Sequence, residues 1–305
     1  MRRLALAAPA LVGLLLLLGA LGPLLIAWRE PDDGATLPAG VPGRFVDVGG
    51  YRVHVVERGE GPALVLIHGF GGSTNDFEEH VLEPLARAHH VVAVDLYGHG
   101  WSERREDFAY GWPLWADQVL GTLDALGIQR ASLVGHSMGG AVAATFAARH
   151  PERVERLALA DAFFPPEPSE ISLVFRALRT PIVGELALGA VDDVSAPGFS
   201  PAHHERARLW TRIRGTRRGL LRYVRAAPAQ LADLRATYAA LGMPTLVLHG
   251  ANDQFVRYAA MERILPTIRD ARVVTLAGDH FPFRDDAERF VREIDTFLAD
   301  AVKSP

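Results

Sequence analysis

The chain has 305 residues, with 49% hydrophobic and 22% charged side chains, which is typical of a folded globular protein and excludes disordered and fibrous classes. A formal net charge of −4 gives no general attraction to nucleic acid, so we expect no nucleic-acid partner. The sequence contains no cysteine, which excludes disulfides, a thiolate nucleophile and cysteine-bound zinc. Any chemistry must therefore depend on oxygen and nitrogen groups, and no motif predicts a metal site or a cofactor.

The N-terminal segment has the composition of a membrane helix. Residues 4–28 carry no charged side chain, and as a helix they would be about 37 Å long, enough to cross a hydrocarbon core of roughly 30 Å. Arg2 and Arg3 precede this stretch and acidic residues follow it. The positive-inside rule therefore predicts a single-pass membrane anchor at residues 1–28, with a cytoplasmic N-terminus and the rest of the chain outside the cytoplasm. A cleaved signal peptide, which would leave a secreted protein, is the alternative, and a buried helix is a third interpretation.

A folded domain is predicted over residues 44–305, after a linker at 29–43 that is rich in Pro, Gly and Asp. Gly49-Gly50 predicts the tight turn of a β-hairpin between Arg44–Val48 and Tyr51–Glu57. Unalternated apolar runs predict strands buried on both faces of a parallel sheet, at Ala63–Ile67, His90–Val94, Ala131–Val134, Val154–Ala160, Thr245–Leu248 and Arg272–Leu276. Helical patterns separate these runs, at Asn75–Ala88, Pro113–Leu126, Met138–Arg149, Arg257–Ile268 and Asp285–Ala301. This alternation predicts an α/β fold with a mostly parallel sheet flanked by helices.

One long stretch interrupts the alternation. Residues 163–241 carry helical patterning and prolines but no convincing strand, which predicts a helical cap over the site. Within it, residues 206–225 contain eight arginines and no acid. This pattern fits a solvated cap helix, or two short helices because Gly215 and Gly219 weaken a continuous one. Contact with anionic membrane lipid is the alternative, and nucleic-acid binding is a weaker third.

A nucleophile motif lies between a predicted strand and a predicted helix. Residues 135–139 read Gly-His-Ser-Met-Gly, which is G-x-S-x-G in the strand–turn–helix context that presents a serine hydroxyl above a sheet. Ser137 needs a base and a carboxylate that orients the base. Asp253 and His280 each follow a predicted strand, and the order Ser, Asp, His is that of one known class of hydrolase. Asp161, which ends the strand before the cap, is the competing candidate for the acid.

The chain from residue 44 to 305 resembles the α/β-hydrolase fold superfamily. The resemblance rests on His68-Gly69-Phe70-Gly71-Gly72, on the segment from Asp95 to Ser102, on the nucleophile motif and on the two acid–base segments. Within the superfamily it is similar to bacterial serine esterases and monoacylglycerol-lipase-like enzymes that carry an N-terminal membrane segment. The resemblance implies an oxyanion hole made by the backbone N–H groups of Phe70 and Met138. The family often has a glutamate four residues after the catalytic histidine, where this chain has Arg284.

These features together predict a serine hydrolase that uses no cofactor. Ser137 would attack the carbonyl of a carboxylic ester, His280 would act as the base, and Asp253 would orient His280. The long cap and the membrane segment favour apolar or lipid-derived acyl groups, so the expected partners are a small-molecule ester and membrane lipid in contact with residues 4–28. Thioester hydrolysis, carbon–carbon bond hydrolysis, cofactor-free perhydrolysis and a non-catalytic binding role are the alternatives.

Overall fold

The computed structural model describes residues 2–299, with side chains described at residue 14 and from residue 16 onward, apart from residue 168. Within this part, one sheet is formed by β1 (Arg44–Val48), β2 (Tyr51–Arg58), β3 (Ala63–Ile67), β4 (His90–Val94), β5 (Ala131–His136), β6 (Val154–Ala160), β7 (Thr245–Gly250) and β8 (Ala271–Leu276). The order across the sheet is β1-β2-β4-β3-β5-β6-β7-β8. The pairs β1–β2 and β2–β4 are antiparallel and the others are parallel. The predicted α/β fold with a mostly parallel sheet is confirmed.

Helices surround this sheet. They are α1 (Arg2–Arg29), α2 (Asn75–Glu78), α3 (Leu82–Leu85), α4 (Trp112–Ala125), α5 (Met138–Arg149), α6 (Leu173–Arg179), α7 (Val183–Ala190), α8 (Pro201–Thr211), α9 (Thr216–Ala239), α10 (Tyr258–Ile264), α11 (Pro282–Asp285) and α12 (Ala287–Ala299). In β4, successive residues are buried on opposite faces of the sheet, so its apolar run does not alternate with polar residues. Val92 belongs to the core cluster that contains Trp115 of α4, and Val91 belongs to the cluster that contains Phe290 of α12. Both faces of the sheet are therefore covered, which requires apolar residues on both.

The parallel register aligns the carboxyl ends of the central strands. Ile67 of β3 pairs with Gly135 of β5, and His136 of β5 pairs with Ala160 of β6. Ala160 in turn pairs with Leu248 of β7. Side chains that follow these strands consequently meet at one edge of the sheet, where ligands bind in open α/β folds.

Two predicted helices are interrupted by proline. The pattern over Asn75–Ala88 forms α2 and α3 rather than one helix, because Pro84 would clash with the carbonyl of His80 in a continuous helix. In the segment predicted as a helix over Arg257–Ile268, α10 ends at Ile264, shortly before Pro266, and one 3₁₀ turn follows it.

The segment predicted as a cap, residues 163–241, contains helices α6 to α9 and no strand. Its arginine-rich part is divided between α8 and α9 at Gly215, whose φ of +95° is left-handed and suits glycine. Arg217 is completely buried, whereas Arg208, Arg214 and Arg218 are exposed. The arginines therefore do not form one uniform solvated face.

The end of α1 packs on the cap. Ile26 is buried, and a Cβ at Gly22 would lie 2.6 Å from Cβ of Glu185, so glycine allows α1 and α7 to approach closely. Directly after α1, Glu30 is buried against Arg217 of α9. The first residues of the segment predicted as a linker are thus held against the folded domain.

The prediction of a membrane helix over residues 4–28 is not supported by the structure. Within the described part of the chain, no helix is both long enough and apolar enough to span a bilayer. The side chains at residues 4–13 and 15, on which the prediction largely rests, lie outside the described residues. The membrane role of this segment stays a prediction.

Candidate active site

The turn between β5 and α5 holds Ser137 in a strained conformation. Its φ of +51° is left-handed, which is rare for a residue with a side chain and typical of a nucleophile turn. The turn requires glycine on both sides, because a Cβ at Gly135 would lie 2.4 Å from the carbonyl oxygen of Gly139, and one at Gly139 would lie 2.2 Å from that of Ile67. The motif thus places the Ser137 side chain above the carboxyl edge of the sheet.

The three side chains that the sequence predicts as a triad lie in one hydrogen-bonded chain. The Oγ atom of Ser137 is 2.9 Å from Nε2 of His280, and Nδ1 of His280 is 2.8 Å from Oδ2 of Asp253. The other oxygen of Asp253, Oδ1, accepts hydrogen bonds from the backbone N–H groups of Phe255 and Val256. This geometry suits donation from His280 Nδ1–H to Asp253 and from the Ser137 hydroxyl to Nε2, the arrangement that activates a serine.

The charge on Asp253 is stabilised although its carboxylate is completely buried. Burial alone would raise the pKa of Asp253, but the hydrogen bond from His280, the attraction of its imidazolium form and the two backbone N–H donors together lower it. An ionised Asp253 can orient the imidazole and stabilise the cation formed when His280 takes a proton.

Asp161, the competing acid, lies beside this chain but is bonded elsewhere. Its Oδ1 accepts from the backbone N–H of Gly250 at 2.9 Å and lies 2.9 Å from Nδ1 of His249. Burial, together with the nearby charge of Asp253, raises the pKa of Asp161 to about 6, against the opposing effects of His249 and His280. The Nδ1–H of His280 donates to Asp253 and not to Asp161.

These acids and His280 also have the spacing of metal ligands. Asp161, Asp253 and His280 offer oxygen and nitrogen atoms that all lie within 4.8 Å of one another. The sequence predicts no metal site, because the three residues are far apart along the chain and match no ligand motif. Both ring nitrogens of His280 already take part in the hydrogen bonds to Asp253 and Ser137, so proton transfer explains the cluster without a metal.

The residues predicted for the oxyanion hole lie on either side of Ser137. Phe70 follows β3 and Met138 begins α5, and both line the same cavity as Ser137. As the first residue of a helix, Met138 has a backbone N–H without an intrahelical acceptor. His68 stabilises the loop of Phe70, since its Nδ1–H donates to the carbonyl of Gly69 and its Nε2 accepts from the N–H of Leu96. Two backbone donors could therefore face the oxygen of a bound carbonyl.

A cavity of about 220 Å³ extends from Ser137 beneath the cap. The amino-acid sequence does not reveal the walls of this cavity, because only the folded chain brings the cap side chains together around Ser137. The ring of Phe70 lies 5.4 Å from that of Phe175 in α6 and 5.8 Å from that of Tyr223 in α9. The apolar lining of this Ser137 cavity includes Phe70, Met138, Phe163, Phe164, Ile171, Phe175, Tyr223, Val224, Leu231, Phe255, Val256 and Phe281.

Comparison with known proteins identifies the family. The family model described as alpha/beta hydrolase fold matches residues 62–181. The chain is 32% identical over 280 residues to 2-hydroxymuconate semialdehyde hydrolase of Pseudomonas sp. (strain CF600), covering 85% of this chain and 94% of that protein. It is 36% identical over 232 residues to a putative non-heme haloperoxidase of Mycobacterium phage D29, covering 69% and 78%.

Among solved structures, a membrane phospholipase A described as a bacterial virulence factor is similar with a TM-score of 0.65 and 28% identity, over 100% of both chains. A meta-cleavage product hydrolase from Pseudomonas fluorescens IP01 is similar with a TM-score of 0.70 and 25% identity, over 85% of this chain and 98% of that one. The chain belongs to the α/β-hydrolase fold family and is a hydrolase of that superfamily.

Proposed function

We propose that the protein is a serine hydrolase that cleaves carboxylic esters of apolar, lipid-derived acyl groups through an acyl-enzyme at Ser137. The observation that carries the proposal is the hydrogen-bonded chain Ser137–His280–Asp253 at the base of an apolar cavity. The similarity to a membrane phospholipase A over the whole of both chains also supports a lipid ester as substrate.

The reaction follows from the positions of these groups. Ser137 Oγ attacks the ester carbonyl carbon while His280 Nε2 takes the hydroxyl proton, and the backbone N–H groups of Phe70 and Met138 stabilise the resulting oxyanion. The bond to the leaving oxygen then breaks, and His280 returns the proton to the departing alcohol. A water molecule, deprotonated by His280, attacks the acyl-enzyme, and the proton passes to Ser137 as the carboxylic acid leaves. Throughout, Asp253 holds the imidazole in the required tautomer.

Carbon–carbon bond hydrolysis is the second candidate, because 2-hydroxymuconate semialdehyde hydrolase is 32% identical over 94% of its length. A muconate semialdehyde carries a carboxylate, and a buried carboxylate needs a cationic partner. The arginines among the residues that line the Ser137 cavity are Arg179 and Arg257, and both are exposed. The apolar lining therefore favours an acyl chain over an anionic dienoate.

Labelling and substrate competition test the proposal. A fluorophosphonate should label the full chain, and Ser137→Ala should abolish labelling. The matched control is Ser172→Ala. Ser172 also lines the cavity, but its Oγ accepts a hydrogen bond from the N–H of Phe175 and, among the described residues, forms none with a histidine. Turnover of p-nitrophenyl esters should rise with acyl length, and 2-hydroxymuconate semialdehyde should be a poor substrate. A chain that the fluorophosphonate labels at Ser137, but that in its unlabelled form cleaves the semialdehyde faster than any ester, would instead support the second candidate.

For the location of the chain, we propose attachment to a membrane through residues 4–28, with the hydrolase domain outside the cytoplasm. The uncharged run, Arg2 and Arg3 before it, and the similarity to a membrane phospholipase A support this. Cell fractionation should find the activity in the membrane pellet, resistant to high salt. A mature N-terminus between about residues 20 and 35 would show a cleaved signal peptide and a secreted protein instead.

A further inference from the structure

A second cavity lies between the end of α1, the loop that follows β4 and the start of α9. Its volume is about 440 Å³, and it shares no lining residue with the Ser137 cavity. We call it the arginine groove, and it is lined by Ile26, Ala27, Glu30, Pro31, Arg104, Arg105, Glu106, Arg214, Gly215, Arg218, Gly219 and Arg222.

Positive charge exceeds negative charge in the arginine groove. Five arginines line it against two glutamates. One of these, Glu30, is engaged within the fold, because its carboxylate accepts from the backbone N–H groups of Gly215 at 2.8 Å and Arg217 at 2.6 Å and pairs with the guanidinium of Arg217. The other, Glu106, is largely exposed and pairs with Arg218 at 3.3 Å. Within the described residues, no carboxylate forms an ion pair with Arg104, Arg214 or Arg222.

Arg104 is fixed in place by neutral acceptors. Its guanidinium donates to Oγ1 of Thr216 at 2.7 Å, and to the carbonyl oxygens of Ser102 and Gly100, both at 2.5 Å. Burial lowers the pKa of Arg104 to about 10, so the side chain still carries its charge at neutral pH. A guanidinium has five N–H donors, and these bonds account for three of them. The charge is thus held in place by neutral acceptors, without a direct ion pair, and two N–H donors remain.

Arg214 and Arg222 add further positive charge to the lining of the groove. Arg214 is exposed and precedes α9, whereas Arg222 lies two turns into that helix and donates to the carbonyl oxygen of Glu106. Like charges gathered around a concave surface raise its potential and concentrate anions there. The apolar side chain of Ile26 lines the same groove, and the exposed ring of Trp28 lies close to it in sequence.

From this arrangement we infer that the arginine groove binds a phosphate group, separate from the Ser137 cavity. Planar guanidinium groups match the oxygens of a phosphate with paired hydrogen bonds, and several of them can neutralise its charge. The phosphate could be that of a lipid head group, with the apolar residues beside the arginines in contact with the lipid, or a free soluble phosphate. The inference goes beyond the proposed function, since no step of ester hydrolysis depends on it.

Calorimetric titration of the full chain in a neutral detergent tests this inference. The ligands are inorganic phosphate, an ether-linked dihexyl phosphatidylglycerol that Ser137 cannot cleave, and dihexyl glycerol as the ligand without phosphate. Both phosphate compounds should bind and dihexyl glycerol should not. Tighter binding of the phospholipid than of phosphate would identify a lipid head group, and equal binding would identify a soluble phosphate. Absence of binding by both phosphate compounds would overturn the inference.

A matched pair of double variants distinguishes phosphate binding in the arginine groove from a general effect of positive charge. Arg214→Gln with Arg222→Gln should weaken phosphate binding by about tenfold or more, because two charge-assisted contacts are lost. Arg225→Gln with Arg235→Gln removes the same charge on or near α9, but these arginines pair with Glu185 and Glu167 outside the groove. Equal loss of binding in both variants would contradict a specific site. Fluorophosphonate labelling at the rate of the unaltered chain verifies that each variant is folded.

Discussion

The carboxyl groups of Asp161 and Asp253 both lie close to the imidazole of His280, but only Asp253 is hydrogen-bonded to it. Asp253 lies 2.8 Å from Nδ1 of His280 and keeps its charge through backbone donors. Asp161 directs one oxygen to Gly250 and His249 and has its pKa raised by burial. The sequence could propose both acids, since each follows a buried strand, but it could not show these bonds.

Removing the acid that orients His280 should cost most of the activity. We expect Ser137→Ala and His280→Ala to lower kcat by roughly 10⁵- to 10⁶-fold and Asp253→Ala by roughly 10⁴-fold, without additivity, because the three act as one unit. Asp161→Asn should retain most of the activity. Steady-state kinetics with a p-nitrophenyl ester measure these effects, and a severe loss in Asp161→Asn with near-full activity in Asp253→Ala would reverse the assignment.

The buried carboxyl of Asp161 should make stability depend on pH. Its pKa is raised from 3.8 to about 6 in the folded chain, so the folded state holds this proton more tightly than the unfolded state. The resulting stabilisation is complete below the unfolded pKa and is lost as pH rises through about 6. Relative to Asp161→Asn, the unaltered chain should therefore lose unfolding free energy between about pH 4 and about pH 7.

Urea unfolding of both proteins at a series of pH values measures this difference. Asp233→Asn is the control for loss of a carboxylate at an exposed position, since Asp233 lies exposed on α9. A difference between the unaltered chain and Asp161→Asn that does not vary with pH would show that Asp161 does not titrate as its burial implies.

Helices of the cap supply part of the wall of the Ser137 cavity, whereas the sheet positions Ser137 itself. Phe175 of α6 and Tyr223 of α9 both contact the ring of Phe70 beside the nucleophile turn. Leu173 lies on the same helix as Phe175 but is 82% exposed and does not line the cavity. Helix α6 therefore offers Phe175 as a position that lines the cavity and Leu173 as a control position that does not.

Shortening Phe175 should change acyl-chain preference. We expect Phe175→Ala to lower kcat/KM for long-chain esters by about tenfold, from the lost apolar contact, and to leave acetate esters nearly unchanged. Leu173→Ala should leave both nearly unchanged. A uniform loss for short and long esters in Phe175→Ala would indicate that the cap acts through the position of Ser137 and not through acyl binding.

The strands were predictable from the sequence to within a few residues, because burial on both faces gives a run of apolar residues that turns interrupt. The run over Ala131–Val134, for example, is the core of β5, which extends to His136. Helix continuity was less predictable, since the effect of Pro84 and Pro266 depends on local geometry. The nucleophile motif located Ser137, but the cavity walls in the cap depend on tertiary packing and have no local signal.

A buried ion pair connects the residue that follows α1 to the cap. The carboxylate of Glu30 and the guanidinium of Arg217 are almost completely buried, and Glu30 also accepts from two backbone N–H groups near the start of α9. Arg217 further donates to the carbonyl oxygens of Leu188 and Val191. The residue that follows α1 is therefore packed against the cap and contributes to its stability.

Breaking this pair should destabilise the cap. Glu30→Gln leaves the Arg217 charge buried without its partner, which should cost about 3 kcal/mol or more of unfolding free energy. The control is Asp33→Asn, because Asp33 is exposed and its side chain bonds only locally to the N–H of Ala35. Limited proteolysis of the cap and thermal unfolding measure the effect. Equal stability of the two variants would mean that the Glu30–Arg217 pair contributes little.

Detection of the acyl-enzyme tests the proposed role of Ser137 most directly. The full chain is incubated with a long-chain p-nitrophenyl ester, quenched in acid during turnover, digested and analysed by mass spectrometry. We expect the acyl mass on the peptide that contains Ser137, and neither adduct nor turnover in Ser137→Ala. Ester hydrolysis that continues in Ser137→Ala, or an acyl group on another residue, would contradict this role.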